Sequence, residues 1–84
     1  MKEAKNTMSL IARAVLHHRK KAGLSRRQLS ELSGVTESCI YTIEKVSGGC
    51  RLDTLLKLFS VLNIRLALHG PFMDEIPADE ERDA

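Results

Sequence analysis

Residues 24–46 constrain the fold of this chain more than any other stretch. They predict two short helices separated by a tight turn. Ser25 suits the N-cap of the first helix, and Gln28 three positions later completes a capping box. Leu29 and Leu32 give that helix one apolar edge. Gly34 stands where a left-handed residue is needed to end it, Val35 fills the corner, and Thr36 can cap the second helix. The second helix offers only Ile40 and Ile43 as large aliphatic anchors. Its other faces carry Glu37, Ser38, Tyr41, Thr42 and Lys45. A helix so lightly anchored, with hydrogen-bonding groups facing outward, suits a DNA major groove.

Eighty-four residues allow one small domain with a thin core, so a partner or a second copy is expected to add stability. The net charge of +2 hides an asymmetry. Residues 1–73 carry twelve Lys or Arg against five acids, hence +7. Residues 74–84 carry six acids against Arg82, hence −5. A basic body favours a polyanion such as double-stranded DNA. An acidic end is usually a solvated tail, and less often a docking segment or a decoy for the basic face.

Around the central pair, helical spacing predicts a first helix from about Ser9 to Lys21, with Ile11, Val15, His18 and Ala22 on its core side and Gly23 at its end. Ser47–Cys50 reads as a loop. A further helix is expected over about Leu52–Leu62, with a core edge of Leu52, Leu55, Leu56, Phe59 and Leu62, Asp53 in its first turn and Asn63 as a left-handed cap. Next, Ile64, Arg65, Leu66, Ala67 and Leu68 alternate like a strand. No other segment reads as one, and a lone strand leaves its backbone groups unpaired. The simplest partner is the same strand of a second copy, which implies a symmetric dimer. The alternative is that residues 64–68 extend the preceding helix. The expected fold is thus all-α: four helices plus one C-terminal strand paired across a dimer. The expected organisation is a flexible lead-in over 1–8, the folded domain over 9–69 and an acidic, disordered tail over 70–84.

With these elements in place, the chain resembles the Xre-type helix-turn-helix proteins, which include phage repressors and Cro. The residues that carry the resemblance are Arg19, Gly23-Leu24-Ser25, Leu29, Gly34-Val35, Ile40 and Ile43-Glu44. Together with the flanking helices it covers residues 9–62. The segment from Arg51 through Leu68 is similar in layout to the HipB-type antitoxins, in which a strand follows the last helix and pairs across the dimer. That resemblance implies a homodimer that represses its own operon and binds a HipA-like kinase toxin; a free-standing regulator without a toxin partner and a protein-interaction adaptor on the same scaffold are the alternatives. It also implies that Arg19 and Glu44 pair, joining the first helix to the recognition helix. The chain departs from the family at Arg26, where Gln is common, at His18, where an aliphatic residue is usual, and at Arg51, where Ser or Thr is common.

Arg26 and Arg27 lie in the first turn of their helix, where cations oppose the helix dipole. A phosphate bound at that N-terminus explains them, and solvated surface charge is the alternative. Glu37 reads either as ordinary dipole chemistry or as an acceptor for cytosine N4. Ser38, Tyr41 and Thr42 are candidate base contacts. Thr36 and Lys45 are candidates for the phosphates, and Gln28 joins the DNA-binding set.

His17, His18 and His69, with Cys39 and Cys50, lack metal-ligand spacing, so no metal is expected. His18 is expected at the core edge, bonded to backbone. The cysteines form no disulfide framework. No cofactor motif or catalytic set is visible, so neither a cofactor nor enzymatic activity is expected. The absence of a signal peptide and of a long apolar run points to a cytoplasmic protein with no membrane partner.

Overall fold

The computed structural model describes residues 2–46 and 50–77. Four helices follow one another: α1 Lys2–Lys21, α2 Arg26–Ser33, α3 Glu37–Val46 and α4 Leu52–Leu62. A short 3-10 turn at Met73–Glu75 comes last. The Ser47–Gly49 part of the expected loop and tail residues 78–84 lie outside the described residues.

Local chemistry sets the helix ends. The Ser25 side chain accepts from the Gln28 N–H at 3.0 Å, and the Gln28 side chain accepts from the Ser25 N–H at 2.8 Å. Gly34 ends α2 at φ 82°, a conformation that costs an L-residue steric strain, and its N–H donates to the Ser30 carbonyl at 2.9 Å. Thr36 Oγ1 accepts from the Cys39 N–H at 3.1 Å at the start of α3. Asn63 closes α4 in the left-handed region at φ 60°. The Ile64 N–H then reaches back to the Phe59 carbonyl at 2.9 Å, which turns the chain off the helix axis.

The core gathers Val15 of α1, Leu29 of α2, Val35 of the turn, Ile40 and Ile43 of α3, and Leu55, Leu58, Phe59 and Leu62 of α4. Helix α3 packs on α1 and α2, and α4 packs on α2 and α1. Each fully buried aliphatic side chain here contributes about 1.5–3 kcal/mol relative to exposure.

The helix faces differ from the sequence expectations. In α1, Ala12, Val15 and Arg19 turn inward, whereas His18 and Ala22 are exposed. The inward face carries a charged residue, which apolar periodicity passes over. In α4, Leu58 is fully buried while Leu52 and Leu56 are exposed. The apolar arc of that helix is wide, running from Leu58 round to Leu56 opposite Asp53, Lys57 and Ser60, and packing selects its Leu58 side. Leu32, expected on the core edge of α2, is 62% exposed. It flanks an open groove between α2 and α4, lined also by Ser33, Asp53, Leu56, Lys57, Ser60 and Val61.

Both ends of the chain also depart from expectation. Helix α1 starts at Lys2, not near Ser9, so the 1–8 stretch read as a flexible lead-in is helical from Lys2. Residues 64–68 are neither strand nor a continuation of α4. Asn63 ends the helix, and a strand is defined by its pairing, for which one chain supplies no partner. Ile64 packs against the core, whereas Leu66 and Leu68 are exposed. Residues 70–77, read as the start of a disordered tail, form a turn. The Met73 N–H donates to the Gly70 carbonyl at 3.4 Å, and the 3-10 turn follows.

Candidate nucleic-acid interface

One carboxylate fixes the relation between α1, α2 and α3. Glu44 lies on the inner side of α3 with a side chain 1% exposed. Arg19 grips it with two bonds, Nε to Oε2 at 2.7 Å and Nη2 to Oε1 at 3.1 Å. The remaining Arg19 nitrogen, Nη1, donates to the Leu24 carbonyl at 2.9 Å, tying in the link between α1 and α2. The fork geometry of a guanidinium suits this paired contact, which a lysine would not reproduce.

Arg26 joins the same carboxylate, with Nε donating to Glu44 Oε1 at 3.0 Å. Its guanidinium carbon stands 5.0 Å from the centroid of the Tyr41 ring, and Lys45 Nζ lies 5.8 Å from the same centroid. Both distances are within the range of cation–π attraction. Sequence spacing missed this cluster. Arg26 is eighteen positions from Glu44, and no local periodicity connects them. Arg26 is therefore held at the α2–α3 junction, while Arg27 is exposed and faces Glu31 at 3.6 Å. Two arginines on one buried carboxylate leave a net positive charge beside the α3 surface.

The outer face of α3 presents Glu37, Ser38, Tyr41, Thr42 and Lys45, all exposed, while Ile40 and Ile43 point into the core. Thr36 and Gln28 are exposed at the neighbouring helix starts. The five candidate residues on α3 thus share its exposed face. Three polar groups of the expected nucleic-acid contacts are already engaged, Thr36 Oγ1 with the Cys39 N–H among them. Thr42 donates its hydroxyl proton to the Ser38 carbonyl at 3.0 Å, and Gln28 Oε1 holds the Ser25 N–H.

His18 is exposed, and its Nδ1 lies 2.7 Å from the Ala14 carbonyl. The backbone bond expected of it is present, but the core-edge position is not. Among the described residues no group of three His, Cys, Asp or Glu side chains could hold a metal ion. Burial, and secondarily the Cys39 thiol, push the Cys50 thiol above its ordinary pKa, which disfavours a thiolate there.

A helix-turn-helix family model matches residues 18–68, the span from the end of α1 through the segment after α4. The chain belongs to the helix-turn-helix family. An uncharacterized HTH-type transcriptional regulator of Haemophilus influenzae is 35% identical over 63 residues, covering 75% of this chain. The chain spans 64% of the length of that relative. The matched region contains the Ser25 capping box, Gly34, the Arg19–Glu44–Arg26 cluster and the whole of α3. Among the described residues of this helix-turn-helix protein, no helix is long and apolar enough to cross a membrane.

Proposed function

We propose that the protein is a sequence-specific transcriptional repressor that reads duplex DNA with α3. The observation that carries this reading is the division of α3 into a buried side anchored by Ile40, Ile43 and Glu44 and an exposed polar side. Ser38, Tyr41 and Thr42 are its base-reading residues, with Glu37 as an acceptor for cytosine. Arg27, Gln28, Thr36 and Lys45 serve the phosphates. Arg26 acts from its place on Glu44 and Tyr41, so it orients α3 and adds positive charge beside it.

Replacing Ser38 and Thr42 together by Ala should weaken operator binding by about 1–3 kcal/mol per base contact and barely change binding to random DNA. Arg27→Ala should weaken both and lower the slope of log K against log salt by about one. Titrations by fluorescence anisotropy across a salt series measure both effects. An equal loss on operator and random DNA for the Ser38/Thr42 variant would remove those residues from base reading.

The active form in this reading is a homodimer paired through Ile64, Arg65, Leu66, Ala67 and Leu68. Two α3 helices would then meet half-sites of a palindromic operator one helical turn, or a multiple of it, apart. The partner is a HipA-like kinase toxin, which makes the protein an antitoxin that controls its own operon. Support comes from the resemblance of the α4-to-Leu68 layout to HipB-type antitoxins. Co-purification with the product of the adjacent gene, followed by growth rescue, tests the partner. A neighbour that is not kinase-like, or a toxin neither bound nor relieved, leaves a free-standing regulator.

A further inference from the structure

Exposed large hydrophobic side chains are concentrated in two places among the described residues. Leu32, Leu52 and Leu56 lie in or beside the α2–α4 groove. Leu66, Leu68, Phe72, Met73 and Ile76 lie on the arm that follows α4. The arm leaves its own groove uncovered: Phe72 is 66% exposed and Leu68 72%. From these observations we infer that the α2–α4 groove of one copy receives residues 71–76 of a second copy, so that the dimer exchanges its C-terminal arms. The inference rests on the dimer reading above and names what the arms do beyond their pairing.

Direction and reach follow from that pairing. Antiparallel alignment centred on Leu66 sets Leu68 of one copy opposite Ile64 of the other. Residues beyond Gly70 then begin beside the C-terminal end of the other copy's α4, the end at which Val61 lines the groove. Six residues at about 3.3 Å each reach at most about 20 Å. The groove from Val61 to Asp53 follows α4 for about 12 Å at the helical rise. The arm is therefore long enough even with the 3-10 turn retained.

The charges also match. Lys57 is the cation lining the groove, while the Asp53 carboxylate bonds to Arg51 at 3.1 Å. Asp74 and Glu75 sit between Met73 and Ile76 on the arm, so seating the apolar residues brings acids to Lys57. Covering Leu56 and Leu32 with Phe72 and Ile76 removes apolar surface from water on both copies, twice per dimer.

Sedimentation equilibrium on the full-length chain tests the exchange. Phe72→Ala combined with Ile76→Ala should raise the dimer dissociation constant about tenfold or more. Lys57→Glu should raise it, as should Asp74→Lys with Glu75→Lys, and combining the two charge reversals should return it toward the wild-type value. All these residues are exposed in the single chain, so circular dichroism should report unchanged helix content. A dissociation constant unaffected by the Phe72/Ile76 change, in a protein that Leu66→Pro still splits, would overturn the arm exchange and leave the strand-paired dimer standing. Absence of charge rescue would also overturn it. A wild-type monomer at micromolar concentration would remove the dimer reading itself and the exchange with it.

Discussion

Glu44→Ala is expected to destabilise the domain by about 3–5 kcal/mol, the cost of leaving a buried charge without its partner. Two guanidinium groups lose their shared acceptor in this variant. Arg19 is the more affected, because its side chain is 8% exposed and its one remaining bond is to the Leu24 carbonyl. Arg26 is 35% exposed and can turn to water. For a domain of this size each kcal/mol moves Tm by about 4–8 °C, so thermal unfolding followed by circular dichroism reads the effect directly. A Tm within two or three degrees of wild type would mean that the carboxylate carries no such burden. The double replacement Arg19→Met with Glu44→Leu makes a contrasting case. Buried ion pairs are often no more stabilising than apolar pairs of similar volume, so this variant should keep its Tm or raise it. It should nonetheless bind operator more weakly, because apolar contact does not fix the angle of α3 as a two-point bond does.

Leu66→Pro carries the largest expected effect on function. Proline lacks the N–H that a paired strand donates and fixes φ near −65°. In the single chain Leu66 is half exposed and lies outside the core, so the four helices should stay folded. The loss should fall on the proposed dimer. A protomer that binds one half-site alone forfeits the effective concentration that linkage provides, typically a factor of about 10²–10⁴. Operator affinity should drop by that order, with helix content unchanged and the sedimentation coefficient that of a monomer. A variant that still sediments as a dimer would place the interface outside residues 64–68.

The elements legible in the sequence were those set by adjacent residues. The capping box of Ser25 and Gln28, the left-handed Gly34 and Asn63, and the Thr36 cap each depend on a few neighbours, and each is in place. The faces of α1 and α4 were less legible. Leu58 rather than Leu56 takes the centre of the core, because a helix with a wide apolar arc receives its final rotation from what it meets. Charge hid the inward position of Arg19 from apolar periodicity, although the family resemblance pointed to its pairing with Glu44. The part of Arg26 in that cluster could not be read at all, because eighteen positions separate it from Glu44 and only the packing of α3 on α2 brings the two together. Lys2–Met8 gave no apolar stripe to mark the first turns of α1.

The hydroxyl of Thr42 points to a constraint on how such a surface changes its target. Its single proton is already committed to the Ser38 carbonyl, so it meets a base edge only with lone pairs. Gln28 is biased the opposite way. With Oε1 committed to the Ser25 N–H, its amide offers protons outward. The polarity of both positions is thus assigned by the fold before any nucleic acid arrives. Thr42 would favour the exocyclic amines of adenine and cytosine, and Gln28 would favour phosphate oxygens. A lineage shifting to a new operator could retain these two side chains only where the new site preserves that polarity. Ser38 and Tyr41 are the positions at which its vocabulary is free to drift.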